Sequence, residues 1–156
     1  MTSSRTEPAS TELDVDPGEA AARLRLAVTR LARRLRQEST TGHTPSQLSA
    51  LSVVVSHGPL PLGALADHER VAPPSITKVV TKLEADGLVV RTPDPTDGRV
   101  IQVTATKAGH ALIAETRRRK TTWLAARLRE LPLEEQRRLV EAIDVLEHLT
   151  QQDPLP

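Results

Sequence analysis

Apolar residues recur at helical spacing in the first part of the chain. They follow steps of four, three and four residues, which places them on one face of a helix. The apolar positions are Leu24, Val28, Leu31 and Leu35. Gly42 ends the pattern. We therefore predict an N-terminal helix within residues 18–43. A disordered tail is predicted over residues 1–17, which are rich in Ser, Thr, Pro and acidic residues.

Three shorter helices are predicted in the middle of the chain. The first begins with a capping box formed by Thr44 and Gln47, and it ends at the Gly58-Pro59 pair. A very short second helix covers about residues 62–68. The third covers about residues 73–86 and is followed by a glycine, which tolerates the left-handed geometry of a helix end.

Two short segments rich in β-branched residues then predict a hairpin. The segments are LVVR, which ends at Arg91, and VIQV, which starts at Val100. The loop between them holds prolines, aspartates, a glycine and Arg99, and the first three residue types favour a turn. Thr106 can cap a long helix that Pro132 ends, and a final amphipathic helix follows.

A short helix, a turn, a second helix and a hairpin together form the winged helix-turn-helix arrangement. The predicted fold is therefore mainly α with a small β-hairpin wing. The winged helix-turn-helix domain covers residues 44–105, with a helix at 18–43 before it and helices at 106–152 after it. The helix over residues 73–86 takes the place of the recognition helix, which is shaped for the major groove of DNA.

Composition excludes several classes of protein. The chain has 156 residues and no cysteine, which fits one domain and excludes disulfide scaffolds, thiolate metal sites and thiol redox sensing. No window approaches the ~18 uninterrupted apolar residues of a membrane-spanning helix, and the first residues lack the apolar segment of a signal peptide. We expect a soluble, cytoplasmic protein with no membrane partner.

Charge and aromatic content narrow the options for a nucleic-acid partner. The net charge is +1, from 21 Lys and Arg against 20 Asp and Glu, so a DNA-binding surface must arise from the sorting of charges onto faces. Trp123 is accompanied by no Phe and no Tyr, which argues against recognition of single strands by base stacking. The chain has neither a GxSxG elbow nor a phosphate-binding glycine loop, so we expect neither an enzyme nor a cofactor.

The predicted recognition helix separates two kinds of side chain. Its apolar face consists of Ile76, Val79, Val80 and Leu83. Its opposite face carries hydroxyl and ammonium groups from Ser75, Thr77, Lys78, Thr81 and Lys82. These groups suit phosphates and base edges. Taken alone, however, the helix is equally well interpreted as a solvated amphipathic helix with ordinary polar residues.

Three segments of the chain resemble the MarR family of transcriptional regulators, named for multiple antibiotic resistance. They are SITKVVTKLEADGLVVR, then DPTDGR in the wing, then ATKAG at the next helix start, and the resemblance runs from about Thr44 to Gly109. Family members share a Ser/Thr-rich recognition helix, an Asp-x-Arg-Asp-x-Arg wing and a Leu-Thr-x-x-Gly helix start. Two positions depart from this pattern: Thr96 replaces the first wing arginine, and Ala105 replaces the leucine.

The resemblance implies a homodimeric, sequence-specific transcriptional regulator that acts as a repressor and is released by a small-molecule effector. The helices at 18–43 and 106–152 would be dimerisation helices, because a monomer would expose their apolar stripes. Two recognition helices would then enter successive major grooves of a pseudo-palindromic, double-stranded operator. The effector would bind between the dimer region and the winged domain, in a pocket expected to be aliphatic, with Trp123 a candidate for its wall.

The DNA-binding residues are predicted on the recognition helix and the wing. They are Pro74, Ser75, Thr77, Lys78, Thr81, Lys82, Arg91, Asp97 and Arg99. Arg99 is the strongest wing candidate, because a guanidinium on a hairpin tip fits the electronegative minor groove. Asp94 and Asp97 have two interpretations: they hold Arg99 in an extended rotamer through a carboxylate pair, or they only form the turn. Thr96 predicts binding that is weaker or depends more on the helix.

Two other functions stay open at this stage. A winged helix can bind a protein partner, although the face from Ser75 to Lys82 lacks the apolar residues expected for that role. The third hypothesis is a non-specific, nucleoid-associated DNA-binding protein, which the salt dependence of binding would distinguish.

Two clusters of charge-bearing residues receive no DNA-binding role. His43 and His110 leave a zinc site open, but surface or capping roles suit the histidines better, since no pair has i, i+4 spacing. The run Arg117-Arg118-Arg119-Lys120 points all round a helix, so most of it is expected to be solvated.

Overall fold

The computed structural model describes residues 16–38 and 41–151. Its elements are α1 (Pro17–Gln37), α2 (Pro45–His57), β1 (Leu60–Pro61), α3 (Leu62–Glu69), α4 (Pro73–Ala85), β2 (Val89–Pro93), β3 (Ile101–Ala105), α5 (Lys107–Arg129) and α6 (Leu133–Gln151). This mainly helical fold with a small antiparallel sheet confirms the predicted fold class. The predicted disordered tail, residues 1–17, lies outside the described residues except for Asp16 and Pro17, and Pro17 already begins α1.

Helix α1 contains all four apolar positions that predicted it and ends at Gln37, two residues after the last of them. Gly42 has a left-handed φ of 76° and lies in the connection to α2. The chain divides into two compact units, residues 1–34 and 35–156, so most of α1 belongs to the first.

Within the described residues no helix is both long and apolar enough to cross a lipid bilayer.

The buried core lies in the second unit, among helices α2 to α5 and the sheet. Its largest fully buried side chains are Leu51, Val54, Leu65, Ile76, Val80, Leu83, Val89 and Val103. Three of them belong to the apolar face predicted for α4. Because that face is buried, the opposite face of α4 is left at the surface.

The sheet has three strands, not the two that the sequence predicts. The strand order is β1-β3-β2, and both neighbouring pairs are antiparallel. Strands β2 and β3 form the predicted hairpin, in which Arg91 lies opposite Val103. In the added strand β1, Leu60 pairs with the same Val103. Two residues are too few for an alternating pattern, and Pro61 is tolerated because β1 is an edge strand.

Both predicted threonine caps form. At α2, the Gln47 amide donates to Thr44 Oγ1 at 3.3 Å and the Thr44 amide donates to Gln47 Oε1 at 2.7 Å, which completes the capping box. At α5, the Gly109 amide donates to Thr106 Oγ1 at 3.1 Å. The caps satisfy amides that have no partner within the helix.

The end of α4 and the start of α5 meet at a junction formed by Gly87 and Leu88. Gly87 has a left-handed φ of 71°, and the Leu88 amide donates back to the Leu83 carbonyl at 2.9 Å. Thr106 binds both residues of the junction, since its amide donates to the Leu88 carbonyl at 3.0 Å and its hydroxyl donates to the Gly87 carbonyl at 2.7 Å. The helix, the wing and α5 are therefore fixed at one point.

Gly109 allows the backbone of α5 to approach this junction closely. A Cβ added at Gly109 would lie 2.2 Å from the Leu88 carbonyl oxygen and 3.2 Å from Leu51 Cδ1. The first distance is far inside van der Waals contact, and its partner is backbone that cannot rotate away. The Thr-x-x-Gly pattern therefore has two physical roles: threonine binds the junction, and glycine leaves room for it.

We expect Gly109→Ala to lower the free energy of unfolding by about 1–3 kcal/mol, the usual range for overpacking a well-packed core. Chemical denaturation followed by circular dichroism measures this change. The cause is the clash with the Leu88 carbonyl oxygen.

Gly63→Ala is the matched control in α3, because its added Cβ meets nothing within 4 Å. We expect it to be neutral or to stabilise the protein by up to ~1 kcal/mol, since alanine favours helix. Equal stability of the two variants would contradict the close approach at Gly109.

Candidate nucleic-acid interface

Helix α4 presents a continuous polar face to solvent. Five polar residues predicted for that face are exposed, whereas Ile76, Val80 and Leu83 are buried. The exposed residues are Ser75, Thr77, Lys78, Thr81 and Lys82. Pro74, in the first turn, is exposed as well. The side chains that suit phosphates and base edges thus lie together at the surface.

The hydroxyl groups of Thr77 and Thr81 are already engaged within α4. Thr77 Oγ1 donates to the Pro73 carbonyl at 2.9 Å, and Thr81 Oγ1 donates to the Thr77 carbonyl at 2.8 Å. Each hydroxyl has one proton, so both oxygens are left with acceptor capacity only. A phosphate oxygen needs a donor, which these two threonines can supply only by giving up their bonds to the helix.

Ser75 and Lys78 are the hydroxyl and ammonium side chains of α4 whose donors are all unengaged. Among the described residues, neither side chain forms a hydrogen bond or an ion pair. Both are exposed in the N-terminal half of the helix, the part that reaches base edges in helix-turn-helix proteins. Of the predicted contacts on α4, these two are the best prepared to donate to DNA.

Lys82 is paired at the other end of α4. Its Nζ lies 2.8 Å from Asp86 Oδ1, and His43 Nε2 lies 3.5 Å from Asp86 Oδ2. The hydrogen bond from Lys82 is the main cause that lowers the pKa of Asp86, and the nearby His43 adds to it. The Lys82 side chain is still 60% exposed, so the pair leaves it accessible to solvent.

Arg91, on strand β2, binds α4. Its Nη2 donates to Thr81 Oγ1 at 2.5 Å, and its Nε lies 3.2 Å from Glu84 Oε2. Nε is buried without an aligned hydrogen bond, so the contact with Glu84 is electrostatic in character. The guanidinium of Arg91 is therefore engaged within the protein, and its role as a DNA contact stays a prediction.

Asp94 closes the loop at the tip of the wing. Its Oδ1 accepts from the Thr96 hydroxyl at 2.5 Å, from the Thr96 amide at 2.7 Å and from the Asp97 amide at 3.1 Å. Gln102 donates to the other carboxylate oxygen. These bonds, the Thr96 hydroxyl first, lower the pKa of Asp94 to about 2. Thr96, which stands where the family has an arginine, is therefore part of the turn.

Asp97 holds the backbone at Arg99. Asp97 Oδ1 accepts from the Arg99 amide at 3.0 Å, and the Asp97 carbonyl accepts from the Val100 amide at 2.9 Å. Among the described residues, the Arg99 guanidinium has no hydrogen bond or ion pair. The interpretation that Asp94 and Asp97 pair with this guanidinium is therefore wrong for the free protein. Both carboxylates form the turn and leave Arg99 exposed at its end.

The two histidines considered for zinc have other surroundings. His43 Nδ1 lies 3.0 Å from the Thr41 carbonyl, and its other ring nitrogen faces Asp86. His110 is exposed on α5. In residues 16–38 and 41–151 no group of three or more His, Asp or Glu side chains is arranged to hold a metal ion.

A cavity of about 510 Å³ lies between α2 and α5. Its lining is Arg36, His43, Pro45, Leu48, Ser49, Ser52, Ile113, Thr116, Arg117 and Lys120. Seven of the ten lining residues carry basic or hydroxyl side chains, and Trp123 is not among them. An aliphatic effector pocket with Trp123 in its wall therefore stays a prediction. Trp123 lies elsewhere on α5, with the Arg127 guanidinium 5.7 Å from its ring.

The basic run of α5 divides into two pairs with different surroundings. Arg118 and Arg119 both bind Glu115, each at 2.7 Å, and the bond from Arg118 is the main cause that lowers the pKa of Glu115 to about 2. Arg117 and Lys120 line the cavity instead. Arg117 Nη2 lies 3.4 Å from Ser52 Oγ, which links α5 to α2.

Sequence reasoning missed the partner of Arg91 and the lining of the cavity. Thr81 and Glu84 lie three residues apart and so are neighbours on the surface of α4, a spacing that identifies a two-residue acceptor site. Nothing in the sequence places Arg91 opposite them. The cavity depends on α2 and α5 meeting, and Ser52 and Arg117 are 65 residues apart.

Comparisons with known proteins agree with this geometry. The model of the MarR family matches residues 43–101. An HTH-type transcriptional regulator from Mycobacterium bovis is 41% identical over 132 residues, which cover 84% of this chain and 92% of the relative. The HTH-type transcriptional repressor MdtR from Bacillus subtilis is 35% identical over 68 residues, 44% of each chain. A MarR family protein structure from Bacillus stearothermophilus is 26% identical, has a TM-score of 0.72, and the match covers 86% of this chain and 95% of that chain.

The similarity to the mycobacterial regulator extends over most of both chains, and the family model covers the segment that contains α4 and most of the wing. The chain belongs to the MarR family of DNA-binding, HTH-type transcriptional regulators.

Proposed function

We propose that this regulator is a cytoplasmic homodimer that binds a pseudo-palindromic operator on double-stranded DNA and represses transcription until a small anionic effector releases it. The observation that carries the DNA-binding part is the pairing of two exposed features. Helix α4 offers the available donors of Ser75 and Lys78, and the wing ends in the exposed guanidinium of Arg99.

In the proposed complex, α4 enters the major groove and the wing follows the DNA backbone. Ser75 and Lys78 donate to phosphates or base edges. Pro74 contacts base edges through its apolar ring. Arg99 enters the flanking minor groove, where the negative potential is strongest. Thr77 and Thr81 contribute acceptor oxygens, for example to the amino groups of cytosine or adenine.

The proposed dimer rests on apolar residues that the chain leaves at its surface. On α6, Leu139, Ile143 and Leu146 are 46%, 47% and 38% exposed and follow helical spacing along one stripe. Helix α1 carries a comparable exposed set, Leu24, Val28 and Leu31. Contiguous exposed apolar stripes identify protein interfaces, and a second copy of the same chain covers them symmetrically.

Repression is proposed from two supports. MdtR, which is similar over less than half of this chain, is named a repressor. A dimer that occupies a promoter also excludes polymerase without needing a further contact.

The proposed effector binds in the cavity between α2 and α5. Arg36, His43, Arg117 and Lys120 line it, and no acidic residue does, so its lining favours an anion. The cavity is bounded by the helix that precedes the winged motif and by the helix that leaves it. A ligand that prefers one arrangement of these helices over another shifts the equilibrium between them, and with it the affinity for DNA.

We expect Lys78→Ala and Arg99→Ala each to weaken operator binding by roughly tenfold, because a DNA contact is worth about 1–3 kcal/mol. Fluorescence anisotropy with an operator selected from random duplexes measures the dissociation constants. Arg118→Ala is the matched control, since that guanidinium is paired with Glu115 on α5. Wild-type affinity in both test variants would contradict the proposed interface.

We expect the protein to sediment as a dimer at micromolar concentration and Ile143→Glu to sediment as a monomer, because burying an unpaired carboxylate in the interface is costly. Glu141→Gln changes the charge by the same one unit, in the opposite sense, on another face of α6 and should remain a dimer. A monomeric wild-type protein would disprove the dimer.

We expect an organic anion from a panel of carboxylates and phosphates to raise the melting temperature and to weaken operator binding. Arg117→Gln combined with Lys120→Gln should remove both effects. Arg127→Gln should leave them unchanged, because Arg127 pairs with Glu130 and contacts Trp123 but does not line the cavity. Equal responses of the two variants would show that the anion acts elsewhere.

A further inference from the structure

Arg91 differs from the other basic residues of the predicted interface, because the protein covers its side chain. Arg91 is 25% exposed, whereas Lys82 is 60% exposed. The guanidinium contacts Thr81 through Nη2 and Glu84 through Nε. It therefore connects the first strand of the wing to the last turns of α4.

The register of the sheet directs Arg91 towards α4. Side chains alternate between the two faces of a strand, so Arg91 shares its face with Val89, two residues earlier. Its cross-strand partner Val103 is on that face too, and both valines are fully buried. Val90, on the opposite face, is 44% exposed. The backbone thus points Arg91 at the protein interior, with its charged end reaching the helix.

The partners of Arg91 are matched to it. The Thr81 hydroxyl donates its hydrogen bond to the Thr77 carbonyl, and its oxygen accepts one from Arg91. Glu84 supplies the opposite charge. If Arg91 left to contact a phosphate, Glu84 would remain as an unpaired carboxylate on the helix that meets DNA. The local charge balance therefore favours keeping Arg91 where it is.

We propose that Arg91 is a positioning residue: it clasps strand β2 to α4 through Thr81 and Glu84, and so sets where Arg99 lies relative to the recognition helix. The inference rests on the proposed DNA-binding role of α4 and the wing. Arg91 itself does not touch DNA. Glu84, which is not among the predicted DNA-binding residues, becomes necessary for tight binding.

The wing needs such a contact because a small rotation at the base of the hairpin becomes a larger displacement at its tip. A two-stranded hairpin is marginally stable by itself, and β1 contributes only two residues to the sheet. The hairpin continues only three residues beyond Arg91, to the Asp94 amide that donates to the Val100 carbonyl, which is on the order of 10 Å at ~3.3 Å per residue. A small rotation at the base therefore moves Arg99 by ångströms, enough to remove it from a minor groove about 6 Å wide.

Whether Glu84→Gln weakens or strengthens operator binding distinguishes the clasp from an ordinary charge effect. Removing a negative charge from a DNA-facing helix ordinarily strengthens binding, because it lowers repulsion of phosphates. A broken clasp has the opposite effect, since glutamine no longer neutralises Arg91 and the wing loses its fixed position. We expect Glu84→Gln to weaken operator binding by several-fold. Asp86→Asn, an acid-to-amide change two residues further on that leaves Arg91 in place, is the control and should not weaken it.

The experiment measures operator affinity against salt concentration for wild type, Arg91→Ala, Arg99→Ala and the double variant. A phosphate contact contributes about 0.9 to the slope of log affinity against log salt. A clasp acts through Arg99, so Arg91→Ala should lower operator affinity as much as Arg99→Ala does. The double variant should have the same affinity and the same salt slope as Arg99→Ala alone.

Three results would overturn the inference. One is a further loss of affinity and a further drop of about 0.9 in slope when Arg91→Ala is added to Arg99→Ala, which identifies a direct phosphate contact. Another is tighter binding by Glu84→Gln. The third is an equal loss of operator affinity when Arg91→Ala is made in the wild-type protein and in Arg99→Ala, together with a lower melting temperature. This result would mean that Arg91 only stabilises the fold. Glu84→Gln carries the test if Arg91→Ala does not fold.

Failure of the clasp is distinguishable from failure of the proposed function. If wild type binds its operator and Arg99→Ala weakens it while the Arg91 and Arg99 effects add, only the clasp is wrong. If Arg99→Ala binds as the wild type does, the proposed wing contact is wrong and the clasp falls with it.

Discussion

The winged domain depends on one close contact between backbones, where α5 meets Gly87 and Leu88. Thr106 binds the carbonyls of both residues, and Gly109 leaves the space that the Leu88 carbonyl occupies. That contact fixes the end of α4, the start of β2 and the start of α5 together. Because the recognition helix and the wing diverge from this point, their mutual geometry depends on the junction as well as on the contact of Arg91 with α4. The Thr-x-x-Gly pattern of the family thus has a mechanical explanation in this chain.

Most polar groups near the proposed DNA surface are bound to other protein groups. Thr77 and Thr81 donate to the helix, Asp94 and Asp97 form the wing turn, and Arg91 is held by α4. This leaves few cations to meet DNA, which fits a chain whose net charge is only +1. Binding by such a surface depends less on bulk attraction than on holding a small number of donors at the right separation.

Local chemistry made much of this predictable. Helical spacing predicted the buried face of α4. The caps at Thr44 and Thr106 were predictable because each bond joins residues only three apart in the sequence. Tertiary contacts set the limit. Strand β1 is too short to show a pattern, and nothing in the sequence shows that Arg91 lies opposite Glu84. The lining of the cavity could not be predicted because Arg117 and Lys120 meet the α2 side chains only in the folded chain.

The central claim is that two copies of α4 read successive major grooves on one face of a duplex. Methylation interference on the selected operator tests it directly, because the probe modifies guanine N7 in the major groove. A dimer predicts two symmetry-related patches of interference with centres about 10–10.5 base pairs, roughly 34 Å, apart. A single patch, or interference with no two-fold symmetry, would contradict it.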